Sequence, residues 1–238
     1  MKVISFSLFG DDPAYQNGAI ANLKLCREIY PDWQCRFFVS QEVPAEIVDQ
    51  LSSDGEVVSM TRTDVADGTF WRFLPVSDPD LEICLIRDLD ARVTSREKRV
   101  VDHWLDSGKA CHIIRDHPWH CFPMMAGLWG VRGQAIPQIG DLIAAWPDFS
   151  TWGADQTFLA DIIYPLIKDD VLIHTDFVIY EGETVQPMPI PRVDNDYMGR
   201  PVGRGKITRE RVDAFDRHGK KGLRVCQFPA PYSKEPTD

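Results

Sequence analysis

The chain has 238 residues, 44% of them hydrophobic and 26% charged, the balance of a globular protein with room for one large domain or two small ones. A formal net charge of −10 argues against a general nucleic-acid binder, which a basic surface would mark. The early apolar stretch Val3–Phe9 is too short to span a membrane and lacks the shape of a signal peptide, and the six cysteines form no CxxC pair. A soluble, cytoplasmic protein with reduced thiols and no transmembrane segment is expected.

Short strand-like and helix-like segments alternate over the first 115 residues, the pattern of an α/β sandwich. Val3–Phe9 reads as a buried strand, and Asp12 followed by Pro13 as the start of a helix carrying Ala19, Leu23, Cys26 and Tyr30 on one face. Strands are expected at Trp33–Val39 and Glu56–Met60, with a helix opening at Pro44 between them. Leu81–Arg87 is apolar at nearly every position, as a central strand buried on both faces would be. Thr94 and Glu97 form a capping box for a helix that Gly108 ends, and Ala110–Ile114 is a further strand.

From Arg115 to Gly133 the chain is dense in His, Pro, Trp, Met and Gly, a composition that reads as pocket wall rather than regular structure. Helices are expected over Gln134–Trp146 and Ala154–Ile163, the second ended by Pro165, followed by a short strand at Val171–Ile173. Between Gly199 and Arg224 nine Lys/Arg face three Asp/Glu, which leaves −16 for the remainder. The sequence therefore divides into a single folded domain over residues 1–198, with halves at 1–115 and 116–198, and a basic arm at 199–238. The arm is either a solvated tail or a contact for an anionic partner.

Asp88-Leu89-Asp90 follows the central strand directly. Residues two apart on an extended chain point the same way, so both carboxylates would face one place, beyond the carboxyl end of a strand where ligands of open α/β sheets bind. Two hard oxygen donors suit Mn²⁺ or Mg²⁺ when substrate phosphates complete the shell. A metal-dependent phosphatase of the haloacid-dehalogenase type also begins with such a motif, with Lys168-Asp169-Asp170 as its later acidic pair. Here Arg92 stands where that family has threonine.

The run Tyr15-x-x-Gly18-Ala19-x-x-Asn22, the segment Trp71-Arg72-Phe73-Leu74 and IRDLDAR at 86–92 resemble the nucleotide half of GT-A-fold glycosyltransferases. Met125-Ala126-Gly127-Leu128-Trp129-Gly130, Asp155-Gln156-x-Phe158-Leu159 and the His174 region resemble their acceptor half, as in bacterial relatives of the retaining, glycogenin-like enzymes. The resemblance implies a GT-A-like, mainly parallel sheet flanked by helices. It implies a transferase that moves a sugar from a nucleotide-diphosphate donor to a carbohydrate or glycan acceptor, with retention of the anomeric configuration. Asp88, Asp90 and His174 would hold Mn²⁺ or Mg²⁺, with Asp176 orienting His174. Ser7, Tyr15, Asn22, Arg72, Arg87 and Asp88 would contact the donor, and Asp155 and Gln156 the reacting centre. Arg115, Asp116, His117, Trp119 and Gly127 would line the acceptor or sugar site. Arg72 and Arg87 could equally pair with acids, and a nucleotide- or sugar-binding module without catalysis fits the same motifs.

Overall fold

The computed structural model describes residues 1–64, 66–194, 196–203, 209–210, 213–214 and 223–226. Strands β1 (Lys2–Leu8), β2 (Gln34–Ser40), β3 (Glu56–Met60), β4 (Ile83–Arg87), β5 (Cys111–Arg115), β6 (Leu128–Arg132), β7 (Val171–Thr175) and β9 (Val185–Gln186) form one sheet in the order β3-β2-β1-β4-β6-β5-β7-β9. All neighbours are parallel except β6, which runs antiparallel to both β4 and β5. A second, two-stranded sheet pairs β8 (Val178–Tyr180) with β10 (Arg224–Cys226).

Alternation along the strands builds a core on each face of the large sheet. Ile4, Phe6 and Leu8 of β1, with Ile83 and Leu85 of β4, pack with Ala19, Leu23 and Trp104 of the long helices α1 (Pro13–Ile29) and α3 (Ser95–Ser107). Val3, Cys84 and Ile86 face the opposite way, onto Phe70, Phe73, Trp129 and Phe158. Adjacent positions thus serve opposite cores, the period of two expected of a pleated strand buried on both faces. The helix ends follow the sequence signals. Asp12 accepts a hydrogen bond from Ala14 N–H, Thr94 Oγ1 accepts one from Glu97 N–H, and Gly108 closes α3 with φ of +74°.

Three expectations need correction. The 115–133 region contains β6, inserted into the middle of the sheet rather than lying outside it. The helix expected over 134–146 shrinks to α4 (Ile139–Ala144), because Gln134 takes a positive φ of 64° and Pro137 offers no N–H. Pro165 does not end a helix. The chain runs from α5 (Ala154–Phe158) through a wider π turn (Leu159–Ile163) into α6 (Tyr164–Ile167), and Pro165 lies in the first turn of α6, where a missing N–H is harmless. All six cysteines are free, and among the described residues no helix is long and apolar enough to cross a membrane.

Candidate active site

The carboxyl ends of β1 and β4 open into a cavity of about 700 Å³. Ser7, Tyr15, Arg72, Asp88, Asp90, Gly127, Asp155 and Gln156 all line it, so eight of the residues read from sequence as functional meet in one place. Arg72 comes from a 3₁₀ segment (Trp71–Ser77) pinned to β1 by its backbone N–H, which donates to Ser7 Oγ at 2.9 Å. Its guanidinium spans the cavity floor. Nη1 donates to Asp88 Oδ1 at 2.5 Å and Nη2 to Asp155 Oδ2 at 2.7 Å. One planar cation thereby joins the end of β4 to the first turn of α5, a geometry a point-charge lysine would not reproduce.

Asp155 is 5% exposed. Burial pushes its carboxyl pKa up, and the Asp88 charge adds to this. Arg72 and the Gln156 N–H, which donates to Asp155 Oδ1 at 2.9 Å, pull in the other direction. The Gln156 side chain accepts from Ala126 N–H through Oε1 at 2.8 Å, so its amide oxygen is committed to the loop before β6. A Cβ on Gly127 would lie 2.0 Å from Asp88 Oδ2. Glycine at that position is what lets the Asp88 carboxylate lie against the chain. Gly18 has a similar role behind the motif, since its Cβ would fall 1.9 Å from the carbonyl oxygen of Leu89.

The other expected site residues lie elsewhere. Arg87 is buried and bound to Glu97 at 2.7 Å and to the carbonyl oxygens of Ile86 and Trp129, so it secures α3 to the sheet and does not face the cavity. Asn22 braces the loop after the acidic motif instead of reaching the cavity, donating to Ala91 O at 2.9 Å and accepting from Val93 N–H at 3.1 Å. Arg115 is fully buried in a fork with Glu183, at 2.6 and 2.7 Å. Asp116 is equally buried and gathers Arg96, Arg192 and the N–H of Met198. His117 is buried 4.3 Å from the Tyr197 ring, and it and Trp119 are outside the cavity wall.

His174 is the main correction. It lies within β7 rather than beyond it and is fully buried. Its Nδ1 shares a hydrogen bond with His112 Nε2 at 2.8 Å and its Nε2 with His103 Nδ1 at 2.9 Å. Both ring nitrogens are thus spent on histidines, leaving no lone pair for a metal at Asp88 and Asp90. Asp176 does not orient it, accepting instead from Met188 N–H and pairing with Arg192. Burial lowers the His174 pKa to about 4 and, with the neighbouring histidines and Arg87, holds His112 well below the usual range.

Sequence reasoning also missed residues that line the cavity, among them Phe9, Arg62 and Trp152. The exposed indole of Trp152 carried no periodic signal, while Phe9 was read as the end of a buried strand. The start of the basic segment also reaches the site. Gly199 and Pro201 line the cavity, and Val202 N–H donates to the carbonyl oxygen of Asp90 at 2.7 Å. Most of the expected arm lies outside the described residues.

Among the described residues no group of three or more His, Cys, Asp or Glu is arranged to hold a metal ion. Two carboxylates on one cavity wall do fit Mg²⁺ or Mn²⁺ in the mode where one or two protein oxygens are joined by substrate phosphates. Lys168-Asp169-Asp170 sits in the turn before β7, where the Asp170 carbonyl accepts from Cys111 N–H at the opposite end of β5 from the cavity. It cannot act with Asp88 in a phosphatase site.

The strand order with its antiparallel β6 is that of a GT-A-type α/β fold, and the acidic motif stands just after β4. No protein-family model matches the sequence, and no curated protein matches it. Solved structures do. A mannosyltransferase from Pyrobaculum calidifontis, solved with GDP-mannose and Mn²⁺, superposes with a TM-score of 0.51 at 11% identity, covering 79% of this chain and 57% of its own. TarS of S. aureus, residues 1–349, gives 0.50 at 10% identity, covering 73% of this chain and 58% of its own. A 4-diphosphocytidyl-2C-methyl-D-erythritol synthase from Anaerococcus prevotii gives 0.48 at 9% identity, covering 72% and 86%. The chain thus has the fold of the GT-A glycosyltransferases and spans under two thirds of the length of both the mannosyltransferase and the TarS chain.

Proposed function

We propose that the protein transfers a sugar from a nucleotide-diphosphate donor to a carbohydrate acceptor, with retention of the anomeric configuration. The observation that carries this reading is Arg72, whose two nitrogens tie Asp88 of the acidic motif to Asp155 beside Gln156 inside one cavity. Asp88 and Asp90 would hold Mn²⁺ or Mg²⁺ together with the donor diphosphate, and the bound ion would stabilise negative charge on the departing nucleoside diphosphate. Ser7 of β1 and Tyr15 of α1 line the same cavity and would contact the nucleoside.

When the bond between anomeric carbon and phosphate oxygen breaks, its electron pair leaves with the diphosphate and positive charge builds on the sugar. Asp155 is the buried carboxylate placed to oppose that charge, and Arg72 orients it. Gln156, anchored through Oε1 to Ala126, presents its amino end to sugar hydroxyls. The acceptor hydroxyl then forms the new bond to the anomeric carbon and gives its proton to the departing diphosphate oxygen. Nucleoside diphosphate released from a panel of nucleotide sugars, measured with Mn²⁺ or Mg²⁺, tests the reading. Release from one donor that Asp90→Asn abolishes is the expected result, whereas no release from any donor, or release unaffected by the substitution, contradicts it.

A further inference from the structure

Trp152 is 68% exposed, the only aromatic among the large apolar side chains that the described residues leave open to solvent. It stands at the mouth of the cavity, three residues before Asp155, and Gly153 with φ of +89° turns the chain from it into α5. The indole is not a loose surface ring. Its edge meets Phe9 at 6.4 Å, and Phe9 is itself wedged between Trp71, at 5.9 Å, and Gly68, where a Cβ would lie 2.5 Å from the phenyl ring. The packing below fixes an aromatic corner whose upper face has no protein cover.

A cation stands beside it. Arg62 lies over the Phe9 ring at 5.7 Å, and its ion-pair partner Glu42 is 3.8 Å away, a loose contact between half-exposed groups. Glu42 already accepts from Gly10 N–H at 2.8 Å. Among the described residues Arg62 and Arg72 are the two cations that line the cavity, and Arg72 is bound on both sides by carboxylates. Arg62 is therefore the positive group available to a ligand at this end.

Given the transferase reading, on which this rests, we propose that the Trp152 corner is the acceptor subsite and that the acceptor is an anionic sugar. The apolar face of its ring stacks on the indole, and its carboxylate or phosphate pairs with Arg62. A pyranose ring offers the C–H face and hydroxyl rim that an exposed aromatic with polar neighbours suits. A guanidinium beside it discriminates by charge, because a planar fork binds carboxylate or phosphate in two places. The stacked ring would lie on the Asp155 side of the cavity, since Trp152 stands just before α5.

The test is titration of the full-length protein, followed by ligand-observed NMR, with methyl glucoside, methyl glucuronide and glucose 6-phosphate. Wild type should bind at least one anionic sugar about fivefold more tightly than the neutral one, and the two anionic arms separate carboxylate from phosphate. Trp152→Ala should weaken every sugar about tenfold, and Arg62→Gln should bring anionic sugars to the neutral level while leaving the glucoside unchanged. Both side chains are at least partly exposed, and circular dichroism on the same samples verifies the fold. Equal affinity for neutral and anionic sugars, or variants that bind as wild type does, would overturn the proposal. Stabilisation by GDP or UDP with Mn²⁺ is measured alongside. If it persists while the sugar preference is absent, only the subsite is wrong. If it is absent while the sugar preference persists, the transferase reading is wrong and the corner is an anionic-sugar site without an acceptor role.

Discussion

Replacing Arg72 with Met removes the counter-charge of a carboxylate that has almost no access to water. Asp155 is 5% exposed and would keep only the Gln156 N–H as a partner, while Asp88, whose side chain is 39% exposed, can turn to solvent. Breaking a buried pair by removing one partner costs about 3–5 kcal/mol. For a domain of this size that corresponds to a fall in melting temperature of roughly 6–20 °C. The loss also has a pH signature. Burial already raises the pKa of Asp155, and without Arg72 it rises further. A folded-state pKa above the unfolded value gives stability that is full below the unfolded pKa and lost as pH rises through the folded one. The penalty of Arg72→Met should therefore be largest near neutral pH and shrink toward pH 5. Adding Asp155→Asn to the variant removes the stranded charge and should restore about half the loss. Urea unfolding of the four proteins at both pH values measures this cycle. A penalty below about 1 kcal/mol, or one that Asp155→Asn does not relieve, would refute the reasoning.

Gly127→Ala places a methyl carbon where Asp88 Oδ2 sits, so the carboxylate must move off Arg72. A stability cost of about 1–3 kcal/mol with loss of metal-dependent nucleotide binding is expected, and a variant that binds as wild type would show that the Asp88 position is not needed. For His174, lowered to about 4, stability is present above the unfolded value near 6.5 and is lost as pH falls toward 4. Between pH 7.5 and 5 this single group accounts for roughly 2 kcal/mol, so His174→Gln should unfold in urea with a shallower acid dependence, and an unchanged slope would contradict the buried neutral chain of histidines.

How much was readable from the sequence depended on whether a residue's partner was local. The capping of α1 and α3 involves residues two or three apart: Asp12 caps α1 as read, whereas at α3 Thr94 accepts from Glu97 N–H but the Glu97 carboxylate turns to Arg87 instead of completing the box. The acidic motif could be placed because an apolar strand precedes it, and Asp88 and Asp90 do open into the cavity. β6 was hidden because its partners β4 and β5 are remote or reversed in direction, and because Gly130 interrupts its apolar run. That glycine exists for packing, since a Cβ there would come 2.9 Å from both Leu85 and Trp104. Arg87, Arg115 and Asp116 looked like ligand-binding charges because composition does not reveal a buried counter-ion. Their partners Glu97, Glu183 and Arg192 lie 10, 68 and 76 residues away along the chain. His174 was misplaced for the same reason, because only the paired register of β5 and β7 sets it beside His112.

The central claim is that Asp88 and Asp90 share a divalent ion with a nucleoside diphosphate, and thermal unfolding with each ligand alone and in combination tests it most directly. Two carboxylates make an incomplete shell, so metal and nucleotide should each bind weakly alone and strongly together. A ligand at about 100 times its dissociation constant adds roughly 2.7 kcal/mol, or roughly 5–10 °C in a domain of this size. The account predicts little shift with Mn²⁺ alone, little with UDP or GDP alone, and a shift of that order with one matched pair, erased by Asp90→Asn. Equal shifts with and without metal, or none with any nucleotide in the presence of Mn²⁺ or Mg²⁺, would contradict it.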